Sequence, residues 1–166
     1  MNGAARFTIG VLTLSDKGAR GEREDESGRV LQEMVAPLGE IVRYRVIPDE
    51  EELIVATLVE WVDKDGVDLI LTTGGTGLSP RDITPEATAR VIEREIPGMA
   101  EAMRAASMAK TPHAMISRAL AGVRRQSIII NLPGSPKGVR ENLEVVYPAL
   151  EHALLKLKGD PSECAR

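Results

Sequence analysis

The eleven residues from Thr72 to Asp82, TTGGTGLSPRD, have the composition of a loop that handles phosphate. Its three glycines lack side chains, so main-chain N–H groups could approach an anion there and adopt positive φ angles, and its three threonines add hydroxyl donors. The stretch is not a P-loop, because no Lys-Ser or Lys-Thr pair follows the last glycine, and it is not G-x-G-x-x-G. A plain tight bend remains the alternative, although a bend requires fewer glycines and threonines.

Two aspartates offer carboxylates near such loops. Asp82 closely follows the glycines, where it could hold a hard cation that bridges phosphates, since Mg²⁺ prefers one or two carboxylates together with phosphate oxygens. Asp49 follows a different predicted strand and offers a second carboxylate. The alternative for Asp82 is a helix cap or a solvated loop charge. For Asp49 it is a capping box with Glu52, which metal binding would not exclude.

Two further loops carry polar groups that suit an anionic ligand. The segment Ser15-Asp16-Lys17-Gly18 combines a hydroxyl, a carboxylate and an ammonium group, with a flexible loop as the alternative. The segment Asn131–Lys137, NLPGSPK, leads into the last predicted helix, whose N-terminal amides and dipole would favour an anion. A simple turn explains its Pro and Gly but explains Ser135 and Lys137 less well.

These loops lie between alternating strands and helices. Strands are predicted at apolar or alternating runs, namely Arg6–Leu14, Ile41–Ile47 (near an edge), Val67–Leu71 and two short strands within Ala119–Asn131 around the turn Arg124–Gln126. Helices are predicted by apolar spacing and by Gly and Pro boundaries, around Val30–Val35, Asp49–Asp65, Thr84 to about Glu95, Met99–Ala109 and Val139–Lys158. The polar run after Leu14, SDKGARGERED, is expected to be a loop.

This alternation predicts an α/β fold of three layers, a mostly parallel sheet with helices on both faces. In such sheets, ligands bind outside the carboxyl ends of the strands. The loops that begin at Ser15, Pro48, Thr72 and Asn131 follow strands in this way, so the chemistry is expected there.

Composition limits the other function classes. A chain of 166 residues forms one ordinary domain, and with 43% hydrophobic but only 2% aromatic residues its core must be aliphatic. A net charge of −4 without a basic stripe excludes a general nucleic-acid binder. No signal peptide or long apolar run is present, so a cytoplasmic protein without membrane contact is expected. Cys164, His113 and His152 have no spacing that suggests a disulfide or a zinc site.

Four strings taken in order, TIGVLTLSDKG, VIPDE, LILTTGGTGLSPRDITPEA and IIINLPGSPKG, closely resemble the bacterial molybdopterin adenylyltransferases of the MogA/MoaB type. The resemblance runs from about Arg6 to Lys158 and extends to gephyrin. It implies transfer of AMP from ATP to the terminal phosphate of molybdopterin, with release of pyrophosphate. It also implies Mg²⁺ as cofactor, a homotrimer, and transient contact with a protein that inserts molybdate.

The same resemblance implies roles for particular residues. Asp49 and Asp82 would be catalytic and would serve the magnesium-dependent step, while the phosphates would lie on Thr73, Gly74, Gly75, Thr76 and Gly77. The adenylate would be bordered by Pro133, Gly134 and Ser135, and the candidates for the pterin end are Thr13, Ser15, Asp16, Ser117 and Arg118.

The expected domain is the whole chain, 1–166, with a core of about 6–158 and a flexible tail at 159–166. Two other functions stay open: a molybdopterin-binding or scaffold protein of the same fold without efficient catalysis, and an enzyme of another α/β family that handles nucleotides or sugar phosphates.

Overall fold

The computed structural model of the chain describes residues 7–164, and these contain one sheet of six strands in the order β2-β1-β3-β6-β5-β4. The strands are β1 Phe7–Leu14, β2 Gly39–Ile47, β3 Leu69–Thr73, β4 Arg94–Glu95, β5 Ala121–Arg124 and β6 Ser127–Leu132. Strands β2, β1, β3 and β6 run parallel to one another, whereas β5 is antiparallel to both β6 and β4. The predicted mostly parallel sheet is confirmed, with the Ile41–Ile47 strand at its edge.

Helices cover both faces of this sheet. They are α1 Asp16–Ala19, α2 Glu26–Val35, α3 Glu51–Val59 with a π-helical continuation Glu60–Lys64, α4 Thr84–Val91, α5 Pro97–Met108, a 3-10 helix Pro112–Ile116, and α6 Pro136–Leu157. Along the described residues, none of these helices combines the length and the apolar character that crossing a bilayer requires.

Alternation along the strands creates two aliphatic cores. Ile9 and Val11 of β1 pack with α2, α5 and α6, whereas Leu12 and Leu14 pack on the opposite face with α3 and α4. In β6, Ile128 and Ile130 likewise join the first core, while Ile129 joins the second. Because successive strand side chains point to opposite faces, a sheet buried on both sides requires such uninterrupted apolar runs. The predicted three-layer fold is confirmed.

Several predicted boundaries are wrong for identifiable reasons. The helix that begins at Thr84 ends at Val91 rather than Glu95, because main-chain N–H groups of Glu93 and Ile96 donate to carbonyls of β5 and draw this segment into the sheet. The polar run after Leu14 contains a short helix, α1, with Ser15 as its N-cap, where a loop was expected. The third predicted strand, Val67–Leu71, is displaced to Leu69–Thr73, and Arg6 lies outside the described residues.

The predicted capping box at Asp49 is also wrong. Glu50 is the N-cap of α3, and no side chain makes a capping hydrogen bond there. The Asp49 carboxylate therefore does not cap α3, which was the alternative to a role in metal binding.

All four parallel strands end at one edge of the sheet. Leu14, Ile47, Thr73 and Leu132 are their last residues. The loops predicted at Ser15 and Pro48 follow β1 and β2 directly, whereas those predicted at Thr72 and Asn131 begin two residues later, because the pairing of β3 with β6 continues through these residues. The sheet therefore brings segments from four parts of the chain to one place, as the rule for open α/β sheets predicts.

Candidate active site

Thr84 stabilises the glycine loop, residues Thr72–Asp82, by hydrogen bonds to two of its carbonyls. Gly74 and Gly75 have φ angles of 99° and 69°, the left-handed region that favours glycine. The buried Thr84 hydroxyl donates to the Gly74 carbonyl at 2.9 Å, and the Thr84 N–H donates to the Gly75 carbonyl at 3.1 Å. Thr84 begins α4, as predicted, but Ile83 is the N-cap of that helix, and the threonine side chain binds the loop instead of capping.

Arg118 holds the other end of the same loop. Its main-chain N–H donates to the Thr76 carbonyl at 2.9 Å, and its Nε donates to the Gly77 carbonyl at 2.8 Å. Its Nη2 donates to the Asp82 carbonyl at 2.7 Å, and its Nη1 pairs with Glu86. Arg118 lines neither of the two pockets described below. Its placement therefore favours a role in holding the loop over the pterin contact expected from the sequence.

As a result, the main-chain carbonyls from Gly74 to Gly77 are hydrogen-bonded, whereas the N–H groups of the last three of these residues are not, within the part of the chain that the structure describes. Carbonyls of Gly74, Gly75, Thr76 and Gly77 all accept hydrogen bonds from Thr84 or Arg118. The N–H groups of Gly75, Thr76 and Gly77 have no acceptor among the described residues. Successive main-chain N–H groups left unpaired in this way form a site that attracts anions. A plain bend would not require every carbonyl to be turned away.

An acidic pocket of about 930 Å³ lies on one side of the glycine loop. Besides Thr73, Gly74 and Gly75, it is lined by the candidate residues Thr13, Ser15, Asp16, Asp49, Asp82, Gly134 and Ser135. Its ionisable side chains are six carboxylates and two cations, namely Asp16, Glu24, Asp25, Glu26, Asp49 and Asp82 against Lys17 and Arg23. A bare triphosphate would be repelled here, and a divalent cation bound between the phosphates and the carboxylates would weaken that repulsion.

Asp49 is the least satisfied carboxylate of this pocket. Its Oδ1 is buried and has no hydrogen-bond partner, and it lies 3.1 Å from where a Cβ on Gly75 would be. The Asp49 N–H donates to Asp16 Oδ1 at 3.0 Å, and Arg81 pairs with both oxygens of Asp16 at 2.8 and 3.0 Å. Burial, followed by the charge of Asp16, raises the pKa of Asp49 above its ordinary value. A cation would remove both penalties.

Asp82 faces the same pocket from the end of the loop. Its Oδ2 accepts the Ser79 N–H at 3.1 Å, and its negative charge is among the causes that raise the pKa of Asp49. Along residues 7–164, no three or more His, Cys, Asp or Glu side chains are grouped to hold a metal by themselves. Two carboxylates suit Mg²⁺ only if other oxygens, such as those of phosphates, complete its coordination.

Asp49→Asn is expected to raise the Tm at neutral pH. A raised pKa means that the folded protein disfavours the ionised carboxylate, so its cost is absent below the ordinary Asp pKa of 3.8 and fully present above the raised value. Thermal melts from pH 3 to pH 8 should show a gain that grows as the pH rises through this window. Asp63→Asn is the matched control with the opposite sign, because Arg124 lowers the pKa of Asp63. If both variants lose stability at neutral pH, Asp49 is not a strained carboxylate.

A second pocket of about 420 Å³ lies on the other side of the loop, between α5, the 3-10 helix and the start of α6. Thr76, Gly77, Ser117, Pro133 and Ser135 line it. Its walls include apolar side chains, and its ionisable groups are mainly basic: Arg104, Lys110, His113 and Lys137 against the single carboxylate of Glu141. The charge of this basic pocket is thus opposite to that of the acidic one.

Arg104 is a residue of this pocket that sequence reasoning missed. It lies in α5 and donates through Nη1 to the Ala119 carbonyl at 2.7 Å and the Ser117 carbonyl at 3.4 Å. No carboxylate within the described residues pairs with it. The Met- and Ala-rich stretch around it indicated core packing, and Met99 and Met103 are indeed buried. No local pattern distinguishes Arg104 from a solvated helix charge.

The structure divides the pterin candidates between these two pockets. Thr13, Ser15 and Asp16 lie in the acidic pocket, whereas Ser117 lies in the basic one. The residues expected to border the adenylate span both, with Gly134 in the acidic pocket, Pro133 in the basic pocket and Ser135 in each. The glycine loop and the loop after β6 together form the ridge between them.

The chain is similar to known proteins along most of its length. The profile of a family described as "Probable molybdopterin binding domain" matches residues 10–152. A molybdopterin adenylyltransferase of Helicobacter pylori (strain J99) is 44% identical over 157 residues, which cover 92% of this chain and 88% of the relative. The Escherichia coli (strain K12) protein of the same name is 42% identical over 146 residues, 85% of this chain and 74% of the relative. The solved structure of the molybdopterin biosynthesis enzyme MoaB of Thermus thermophilus has a TM-score of 0.87 at 52% identity, and the match covers 95% of this chain and 99% of that one.

Proposed function

The chain belongs to this molybdopterin-binding family as a nucleotidyltransferase of molybdenum cofactor biosynthesis, and we propose that it transfers AMP from ATP to the terminal phosphate of molybdopterin. The observation that carries the proposal is the glycine loop. Gly75, the first residue of the loop with an unpaired N–H group, lies beside the unpartnered Asp49 oxygen, so an anion site and a cation site share one wall of the acidic pocket. Adenylyl transfer requires both.

The reaction forms one bond and breaks one bond at a single phosphorus atom. An oxygen of the molybdopterin phosphate attacks the α-phosphorus of ATP, the bond from that phosphorus to the α,β-bridging oxygen breaks, and pyrophosphate leaves with the electron pair. This step needs no covalent nucleophile from the protein. Its contribution is to orient the two phosphates and to stabilise their negative charge with fixed main-chain N–H groups.

The donor set fits Mg²⁺. The unpartnered Asp49 oxygen and the adjacent Asp82 carboxylate are hard oxygen ligands, and phosphates would complete the coordination. Mg²⁺ would be held by Asp49 and Asp82, and when bound it would neutralise charge on the phosphates. In its absence, Asp16 and Arg81 partly balance the site through their ion pair.

The charges of the two pockets also suggest which substrate binds in each of them. ATP enters with its divalent cation, so its phosphates suit the acidic pocket. Molybdopterin carries a phosphate and thiolates beside a flat ring, and the basic pocket combines cations with apolar walls. We assign the nucleotide phosphates to the acidic pocket and molybdopterin to the basic one. On this assignment Ser117 keeps its expected role at the pterin end, while Thr13, Ser15 and Asp16 serve the nucleotide.

Lys137→Gln is expected to raise the KM for molybdopterin about tenfold and leave the KM for ATP unchanged, since a charge-assisted hydrogen bond contributes roughly 1.5 kcal/mol. Lys137 lines the basic pocket and is exposed, so its loss should not disturb folding. Arg140→Gln is the matched control, because Arg140 is exposed on the same helix and lines neither pocket. A higher KM for ATP alone would mean that the pockets are assigned the wrong way round.

The direct test is to incubate the protein with molybdopterin, ATP and MgCl₂ and to measure adenylylated molybdopterin and pyrophosphate. We expect equal amounts of the two products, none with EDTA, and none with ATP whose α,β-bridging oxygen is replaced by methylene. Tight binding of molybdopterin without product would favour the scaffold protein of the same fold. The presence of both carboxylates at the loop favours the enzyme.

We also propose the homotrimer, acting in the cytoplasm, that the family resemblance implies. Exposed apolar side chains favour a subunit interface: Met108, Met115 and Ile116 are 45%, 64% and 51% exposed. Analytical ultracentrifugation of the purified protein would give the number of subunits directly.

A further inference from the structure

A side chain from outside the glycine loop, that of Arg118, binds two of its carbonyls, those of Gly77 and Asp82. Arg118 lies 41 positions beyond Gly77, in the segment between the 3-10 helix and β5. Its main-chain N–H donates to the Thr76 carbonyl, and its Nε and Nη2 donate to the carbonyls of Gly77 and Asp82. A guanidinium group has five N–H donors and no acceptor, so it can bind carbonyls on several peptide units at once without offering an acceptor that competes for their N–H groups.

These contacts decide which way the peptide units of the loop face. Glycine-rich segments have several accessible conformations, and the N–H groups can point toward an anion only while the carbonyls point away. Without Arg118, the Gly77 and Asp82 carbonyls would have no partner in the described residues and could turn toward the pockets that these residues line, the basic one at Gly77 and the acidic one at Asp82. A carbonyl oxygen in that position would repel a phosphate, so the loss would fall on anion binding and on the placement of Asp82.

Arg118 is itself fixed at two points. Glu86, in the first turn of α4, pairs with Nη1, and the neighbouring carbonyls of Ser117 and Ala119 are held by Arg104. The start of α4 therefore acts on both ends of the loop, through Thr84 at Gly74 and Gly75 and through Glu86 and Arg118 at Gly77 and Asp82. The Arg118 side chain remains 33% exposed, so small ions can reach it.

We propose that Arg118 is a positioning residue of the anion site: it binds no substrate, and it keeps the N–H groups of the glycine loop and the Asp82 carboxylate in the orientation that binds phosphate. The inference deepens the proposed function, because the anion would be the pyrophosphate part of ATP. The role itself concerns anion binding, so it can be measured without catalysis.

The test compares Arg118→Ala and Arg118→Lys in their magnesium-dependent binding of inorganic pyrophosphate, measured by isothermal titration calorimetry, and in kcat. Misplacing a binding group by about 1 Å can cost 10²-fold, and we expect a loss of about that size for Arg118→Ala. Arg118→Lys should recover only part of it, because an ammonium group cannot bind separate carbonyls as a fork does. Guanidinium chloride at low millimolar concentration should restore pyrophosphate binding to Arg118→Ala and not to Arg118→Lys.

Arg124→Ala is the matched control. Arg124 also pairs with a carboxylate, Asp63, and donates to a carbonyl, that of Val91, but it lies at the end of β5 away from the site. We expect it to lower the Tm at least as much as Arg118→Ala and to leave pyrophosphate binding unchanged. Unchanged binding in Arg118→Ala, loss that follows the Tm without rescue by guanidinium, or wild-type protein that binds no pyrophosphate would each overturn the inference. Rescued binding in a protein without adenylyl transfer would instead overturn the proposed function and leave Arg118 its role.

Discussion

Asp82→Asn is expected to lower kcat for adenylyl transfer by about 10²–10³-fold, the size of effect seen when one preorganised electrostatic group is removed from an active site. The substitution removes a negative charge from the acidic pocket and keeps the shape of the side chain. The remaining amide oxygen can still accept the Ser79 N–H, so the end of the loop should stay folded. The change therefore isolates the charge of Asp82 from its structural contact.

Three measurements distinguish the role of this charge. The Mg²⁺ concentration at half-maximal rate should rise about tenfold, the lower end of the range for disturbed metal sites. The Kd for molybdopterin should stay near that of the wild type, because Asp82 lines only the acidic pocket. Asp160→Asn is the control, since Asp160 likewise accepts a local main-chain N–H, that of Ser162, and lies outside both pockets. Full turnover by Asp82→Asn at limiting Mg²⁺ would reject Asp82 as a metal ligand.

Sequence alone predicts the scaffold of this site well, for a physical reason. A strand covered on both faces must be mostly apolar, as β1 and β6 are, and parallel strands must end at one edge. These two rules sufficed to place the loops after Leu14, Ile47, Thr73 and Leu132 together. The same rules cannot place the ends of elements, where tertiary pairing competes with local propensity, as it does when residues 93–96 leave the helical pattern and join β5.

The inner structure of the site could not be predicted from local patterns. Threonine is a common helix-capping residue, but the Thr84 hydroxyl binds the Gly74 carbonyl instead, and only the folded loop brings that carbonyl within reach. The resemblance placed both Ser117 and Arg118 at the pterin end, yet Ser117 lines the basic pocket and Arg118 binds carbonyls of the glycine loop. No sequence pattern around Arg104 indicated a role in the site. Each of these roles depends on contacts across 10 to 41 positions, which no short window contains.

Gly75→Ala is expected to reduce both stability and activity, and Gly66→Ala separates the two causes. Gly66 has a φ of 65°, close to the 69° of Gly75, but a Cβ there would meet nothing within 4 Å. Gly66→Ala should therefore cost only the left-handed strain of about 1–2 kcal/mol in the free energy of unfolding. At Gly75 the added Cβ would clash with Thr84 Oγ1 and lie 3.1 Å from Asp49 Oδ1.

The excess cost at Gly75 has a specific origin. Thr84 must move, so its hydrogen bond to the Gly74 carbonyl is lost, which adds about 1 kcal/mol to the strain. That carbonyl is then free to turn, and the N–H groups that follow lose their orientation, so kcat should fall about 10²-fold. Urea unfolding and initial rates on the two variants measure both terms. Equal stability losses together with wild-type turnover in Gly75→Ala would show that phosphate binding does not depend on the packing of the loop against Thr84, and the anion site would then have to lie elsewhere on the sheet edge.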